Sequence, residues 1–449
     1  MKRVRRFMLR FIQRSSQNIV ICLGVLLACA PISMAQTAKM TPEELDSHIK
    51  NRDSGFYIDF FDYHIWDPIE DSASLYDRWS QWKHGIPEAK DVNQYGQVPD
   101  SGWFTNRNGK TKMSADQLAQ GANMNDGPTG NWKIVKGKSQ GRTPGFYIED
   151  ARGDKYLIKI DGKHYPEMAS GAEVVASKFF YAIGYNVPQY TITYFSKGQL
   201  MINPGAKLIG ESGFEESLTQ ESLQEMLDRS YQLPDGRFRA SASKLLEGIP
   251  KGPFSFNSRR KGDPEDIFSH RKLRVIRALR VFSAWLNHND IRRGNTLDMI
   301  TQDEAGTAYV KHYLIDFGSA LGSQTVREKW SETSREYLID IKQTLLTALT
   351  LGIYQRAWLD TSHVVYPSVG YFEADLFEPK AWKQEIPNYA FSHMTEEDAD
   401  WAAQIVGSFS DDQIRSIVKT GQYSNPEAEQ YIIDILIDRR NKVVAAWRK

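Results

Sequence analysis

A chain of 449 residues with 41% hydrophobic and 25% charged side chains has the make-up of a folded globule, long enough for two or three domains or for one two-lobed domain with extensions. Its 56 basic and 56 acidic residues cancel, but residues 1–35 hold six of the basic ones and no acid, leaving 50 basic against 56 acidic beyond them and a net charge of −6. That balance excludes a general polyanion binder such as a nucleic-acid protein.

The first 35 residues differ in kind from the rest. Lys2, Arg3, Arg5, Arg6, Arg10 and Arg14 form a basic start, Ile19 to Ala30 an apolar run too short to span a bilayer comfortably, and Ser33-Met34-Ala35 a small-residue cleavage site before Gln36. The pattern predicts a secretory signal peptide, with an uncleaved N-terminal anchor as the alternative. Within it, Leu26-Leu27-Ala28-Cys29 resembles a bacterial lipobox and Arg5-Arg6-Phe7-Met8-Leu9-Arg10 a twin-arginine signal. The expected protein is exported, periplasmic or on the outer surface, with lipid anchoring at Cys29 left open and any membrane attachment through the N-terminus alone. Both cysteines, Cys22 and Cys29, lie in this segment, so a chain cleaved before Gln36 would have neither disulfides nor a cysteine metal site.

Residues 36–130 form an aromatic-rich extension. Thr41-Pro42-Glu43-Glu44 predicts a helix start, Phe56 to Phe61 a strand, and Trp66, Trp79, Trp82 and Trp103 anchors that wrap the segment onto a larger body. From Asn131 the pattern sharpens: a strand at Trp132 to Lys136, a loop with Gly137, Gly141 and Gly145, and strands at Gly145 to Glu149 and Tyr156 to Ile160 around a turn at Ala151-Arg152-Gly153-Asp154. A helix follows over Glu167 to Ile183, closed by Gly184, then a strand from Tyr190 to Phe195. Ser217 to Arg229 predicts another helix and Arg237 to Leu246 a strand leading to a hinge near Glu247-Gly248-Ile249-Pro250. Ser258 to Asp266 is expected to be an exposed loop. Arg271 to Leu286 predicts one strong helix, and Leu297 to Ile300 with Ala308 to Ile315 a hairpin. Beyond about Trp330 the chain is expected to be mostly helical, with a core helix over Asp340 to Leu359, capping boxes at Thr395 and Ser410, and a last helix from Asn425-Pro426 ending in a basic run.

Two motifs carry chemistry. His288-Asn289-Asp290-Ile291-Arg292-Arg293-Gly294-Asn295 contains His-x-Asp-x-x-x-x-Asn, and Asp316-Phe317-Gly318 follows the hairpin. In this order they resemble the catalytic loop and the metal loop of protein kinases. The resemblance implies that Asp290 orients the acceptor hydroxyl and takes its proton, that Asn295 and Asp316 hold Mg²⁺ (or Mn²⁺), and that Arg292 touches the transferred phosphate, while His288 supports the loop. It further matches Lys159 to the strand lysine that contacts the nucleotide phosphates and Glu173, on the next helix, to its partner; Lys155, Glu167 and Lys178 are rivals. Gly137 to Gly145 stands where the glycine-rich loop would be. It lacks Gly-x-Gly-x-x-Gly, and its amides near Gly141, with Lys138 or Arg142, could cradle phosphate or form a plain hairpin turn.

The resemblance covers about residues 131–325. Asn289 stands where an arginine usually reads activation-loop phosphorylation, no Ala-Pro-Glu follows Asp316, and Ser319 to Lys329 is short. The chain is therefore more similar to atypical branches: phosphatidylinositol-kinase-like, HipA-like or secreted spore-coat-type kinases. The expected fold is α+β, a two-lobed protein-kinase-like fold with a mainly antiparallel β N-lobe (131–250) and a mainly α C-lobe (251–449). The expected function is an exported atypical phosphotransferase that moves a phosphoryl group from ATP or another nucleotide to a hydroxyl on an unknown protein, lipid or glycan. One alternative is a pseudokinase serving as a cell-envelope scaffold; another is a carbohydrate-binding module in residues 36–130.

Overall fold

The computed structural model describes residues 40–53, 82–138, 143–209, 215–338 and 363–448, with single positions 61, 79, 340, 349, 350 and 358. The signal segment, Trp66, Gly141 and Arg142 lie outside them, as do nearly all of the strand expected at 56–61 and the helix expected at 340–359.

Among its described residues the extension holds the short helices α1 (Pro42–His48) and α2 (Ala115–Gln120), each opened by a reciprocal cap, Thr41 with Glu44 and Ser114 with Gln117. Leu45 and Ile49 pack on Ile300, Ala308 and Val310. Trp103 stacks on His312 with ring centroids 3.4 Å apart. Phe104 fills a notch that only glycine leaves open: a Cβ on Gly184, whose φ is +141°, would sit 2.2 Å from the Phe104 ring. These contacts seat the described part of the extension on its neighbours, but not by all the tryptophans expected. Trp79 and Trp82 are 52% and 83% exposed, and the anchoring falls to Trp103 and the fully buried Phe104 beside it.

Seven strands form one sheet: β1 (Trp132–Gly137), β2 (Gly145–Glu149), β3 (Lys155–Ile160), β4 (Tyr190–Phe195), β5 (Leu200–Ile209), β6 (Glu215–Ser217) and β7 (Phe238–Lys244), in the order β4-β7-β3-β2-β1-β5-β6. Every ladder is antiparallel except β1 with β5. Tyr156, Ile158 and Ile160 of β3 enter one apolar cluster with Ile134, Phe146 and Phe195. The two-residue period of a strand sends Lys159 to the other face. Helix α3 (Met168–Ile183) covers that face, and all its residues but Tyr181 are buried. Helix α4 (Gln220–Asp228) follows β6, shorter than the Ser217 to Arg229 expected because Thr219 caps it.

A second sheet of β8 (Ile249–Pro250), β9 (Thr296–Gln302) and β10 (Ala308–Leu314), in the order β10-β9-β8, holds the expected hairpin. The helix expected over Arg271 to Leu286 is broken into a 3₁₀ turn, α5 (Arg274–Arg277) and α6 (Leu279–Trp285). The first break, before Arg274, has a cause in the extension: the Asp91 carboxylate accepts the backbone N–H of Arg274 at 2.5 Å and of Val275 at 3.1 Å, capping a new helix start there. Arg274 and Arg277 are buried on Asp398 instead of reaching solvent. The loop at Ser258 to Asp266 is likewise not exposed as a whole: Arg260 is buried against Asp298, and Asp266 bonds His270 at 2.6 Å.

Beyond Trp330 the described residues are helical only in part. Among the described residues, 363–388 hold no helix, in keeping with Pro367, Pro379 and Pro387 within them. Helices resume with α7 (Tyr389–Ser392), α8 (Glu396–Gly407), α9 (Asp411–Lys419) and α10 (Pro426–Trp447), and Thr395, Ser410 and Asn425 cap the last three. The basic residues of α10 do not gather in its last turn. Arg439 is buried and donates to Ala284 O at 2.6 Å and Trp285 O at 2.9 Å, capping α6. Among the described residues no helix is long and apolar enough to cross a membrane.

Candidate active site

Lys159 meets its partner through a strand and a helix fixed to one another. Asp161, one residue past β3, accepts the backbone N–H of Glu167 at 3.0 Å and of Ser170 at 2.9 Å, and the Ser170 hydroxyl at 2.6 Å. It thereby satisfies the first turn of α3, which has no side-chain cap of its own. With the two elements so joined, Lys159 Nζ lies 2.5 Å from Glu173 Oε1 and 2.9 Å from Asp316 Oδ1. Ser241 on β7 donates to the other Glu173 oxygen at 2.6 Å. The rivals are elsewhere engaged or exposed: Lys155 is exposed, Lys178 donates to Gln120 O, and Glu167 accepts from Ser424 N.

Asp316 leaves the hairpin with φ +60°, a left-handed conformation that costs energy in a non-glycine residue and so has to be held by its surroundings. Tyr190 holds it: its hydroxyl accepts the Asp316 backbone N–H at 3.2 Å. Phe317, fully buried, stacks on Phe180 of α3 at 5.2 Å and meets Tyr190 and His288 edge-on or tilted at 5.7 Å. His288 is wholly buried in this aromatic seat. Burial, then Lys329 nearby, pushes its pKa down to about 3, so its ring is neutral and supports the loop without charge.

The other half of the site lies on the loop between α6 and β9. Arg292 Nε donates to Asp290 Oδ1 at 2.7 Å, and Asn295 Nδ2 donates to Asp290 Oδ2 at 2.9 Å and to its backbone oxygen at 2.7 Å. Ile315 N donates to Asn295 O at 3.0 Å, which joins this loop to the Asp316 loop. The halves sense one another electrostatically. Burial raises the Asp290 carboxyl above the usual range; Arg292 opposes this and Asp316 reinforces it. For Asp316, burial also pushes upward, but Lys159 and Lys138 outweigh it and hold the carboxyl well below that range. The Asp316 side chain keeps 40% of its surface open, which weakens the burial and leaves the two cations dominant. Lys138 is pushed down to about 8 by burial and by Lys159, and it donates to Thr143 O at 3.1 Å.

Thus Lys159, Glu173 and Asp316 come together, Asp290, Arg292 and Asn295 come together, and Lys138 lies within electrostatic reach of the first group. Gly141 lies outside the described residues. Sequence reasoning missed Asp161, Tyr190 and Ser241. Tyr190 and Ser241 sit at ordinary alternating strand positions, and nothing local marks them; Asp161, just past a strand and nine residues before Ser170, carries a faint signal as a distant cap.

The strands and helices give an α+β architecture, a mainly antiparallel sheet followed by a mainly helical part. No protein-family model and no curated protein matches the chain. Among solved structures, a Helicobacter pylori proinflammatory kinase, CtkA, is 13% identical, with 71% of this chain and 96% of that one covered and a TM-score of 0.35. The Golgi casein kinase is 10% identical, with 94% of both chains covered and a TM-score of 0.29. Its structure with Mn/ADP bound covers 88% of this chain and 91% of its own, again at 10% identity and 0.29. Likenesses this distant assign no chemistry, which rests on the site itself.

Proposed function

We propose that this protein is a kinase-like phosphotransferase that uses a nucleotide and Mg²⁺ or Mn²⁺ to phosphorylate a hydroxyl on a protein, lipid or glycan. The observation that carries the reading is the bridging position of Lys159, bonded at once to Glu173 and Asp316, beside the Asp290–Asn295 pair. The donor set suits a hard divalent cation. Asp316 offers an open carboxylate, and Asn295 spends its described amide hydrogen bonds through Nδ2 on Asp290, with no described bond using its Oδ1. Asp316 and Asn295 would hold the metal, which supplies charge neutralisation to the phosphates when bound.

The chain's own residues do the rest. Glu173 and Ser241 fix Lys159 as a cation for the nucleotide phosphates. Asp290, braced by Asn295, sits as the base for the acceptor hydroxyl, with a carboxyl raised toward a pKa useful for proton transfer. Arg292 is placed to meet the phosphoryl group after releasing Asp290. Residues 1–35 would direct export, by cleavage before Gln36 or lipidation at Cys29.

One observation favours the scaffold alternative: both carboxylates are already ion-paired, Asp316 with Lys159 and Asp290 with Arg292. The discriminating experiment is thermal denaturation with ADP and Mg²⁺ or Mn²⁺, followed by transfer from radiolabelled ATP. The proposal expects a metal-dependent rise in Tm that Asp316→Asn removes. It also expects transfer that Asp290→Asn lowers by about 10²–10⁴-fold while the Tm rise remains. Binding without turnover would select the scaffold; no response to any nucleotide with metal would sink both.

A further inference from the structure

The segment after Asp316 is short, and Asn289 stands where an arginine would respond to phosphorylation, so something else has to order that segment. The structure points to Asn287. Its φ is +51°, a conformation asparagine tolerates better than most residues. It is 8% exposed, and four hydrogen bonds converge on it. Its Nδ2 donates to Leu321 O at 3.0 Å. Its Oδ1 accepts the Ser334 hydroxyl at 2.7 Å and Trp382 Nε1 at 3.3 Å. Its backbone oxygen accepts Lys329 Nζ.

The flanking backbone repeats the pattern. Leu321 N donates to Leu286 O at 2.8 Å, and Glu385 N to Asn289 O at 2.8 Å. Leu321 also has a positive φ, +51°, so the two turns that face each other are both held in conformations that relax if the contact is lost. Lys329 is 1% exposed, and among the described hydrogen bonds its Nζ donates to Asn287 O. Such burial is costly for a cation and pushes the Lys329 amine well below the usual lysine range, which leaves the bond to Asn287 O as its described polar anchor.

We infer that Asn287 is a positioning residue that fastens the Asp290 loop to residues 321–334, so that the site stands assembled without a covalent switch. This rests on the phosphotransferase reading. Asn287 touches no reacting atom; it acts through the placement of Asp290 three residues on. A displacement of about 1 Å at a reacting group costs on the order of 10²-fold in rate, and the loss should appear in turnover, not in nucleotide affinity.

The test compares the full chain with Asn287→Ala and, since that variant could fail to fold, with Ser334→Ala and Trp382→Phe, which each remove one bond from the hub. Hydrogen exchange of residues 321–334 in the protein without ligand is the first readout, because it does not depend on turnover. Protection in the wild type that falls about tenfold or more in the variants supports the inference. Equal exchange in all of them overturns it, even if no transfer is ever detected, and so separates it from failure of the phosphotransferase reading. Where transfer is measured, kcat is expected to fall about 10–100-fold in Asn287→Ala, with KM for nucleotide changed less than about threefold. A parallel fall in nucleotide affinity, or an unmodified wild type that needs phosphorylation before it turns over, would overturn it.

Discussion

Asp161 and Ser170 are joined twice, through the serine's backbone N–H at 2.9 Å and its hydroxyl at 2.6 Å. This contact sets how β3 meets α3, and so where Lys159 meets Glu173. Asp161 also faces Arg239 at 3.5 Å, with both side chains almost wholly buried. Asp161→Ala would leave Arg239 without its carboxylate and the first turn of α3 without its acceptor. The expected cost is about 3–5 kcal/mol, the range for breaking a buried pair, measured by urea denaturation. Nucleotide affinity should fall with it; a loss under about 1 kcal/mol would show that the helix does not depend on this cap.

The Lys159–Asp316 contact makes a prediction about pH. Asp316 is depressed in the folded protein, so its stabilisation is present above the unfolded value of about 3.9 and is lost as pH falls through the folded value. Lys159 is raised, so its share is present below about 10.4 and is lost as pH climbs through the higher folded value. The Tm deficit of Lys159→Met should therefore be flat between about pH 4 and pH 10 and shrink outside that window. A deficit that keeps growing below pH 4 would contradict the ion pair.

Arg292 makes a prediction about activity. Burial raises the Asp290 carboxyl and Arg292 draws it back down. Removing that cation in Arg292→Met should move the acid limb of the kcat/KM profile, which reports the protein before substrate binds, to higher pH. A limb that stays put would mean that the ion pair at 2.7 Å does not hold in the free protein.

Gly184 tests whether the extension belongs to the core. Ala at this position would need a φ near +141° and a Cβ 2.2 Å from the Phe104 ring. Gly184→Ala is expected to cost about 2–4 kcal/mol, from backbone strain and overpacking together. If the loss is small, Phe104 can withdraw and the extension is only loosely attached.

Much of the site was legible because its residues sit in local patterns. Asp290, Asn295 and Asp316 carry fixed spacings, and Lys159 sits in a strand whose alternation says which way it points. What escaped was decided by contacts across long stretches of chain. Arg274 and Arg277 belong to the one helix expected over Arg271 to Leu286, yet Asp91 interrupts it and Asp398, more than a hundred residues on, buries both arginines. Arg260 and Asp266 read as an exposed loop until Asp298 and His270 are seen beneath them. Asn287 showed nothing in sequence beyond its place beside His288, because its partners Leu321, Ser334 and Trp382 come from three separate turns.

The enclosure of α3 also bears on how this sequence can drift. Glycine in the first turn of a helix is disfavoured by about 1 kcal/mol relative to alanine, yet Gly171 sits there because a Cβ would meet the Tyr423 hydroxyl at 2.6 Å. Ala172, Ala176 and Ala182 are buried almost completely along the same helix, where any larger side chain would have to displace a neighbour. Tyr181 alone of its residues escapes burial. Among homologues of this chain, α3 should therefore vary at Tyr181 and little elsewhere, so that close packing, beyond the one site residue Glu173, makes it one of the slowest segments to change.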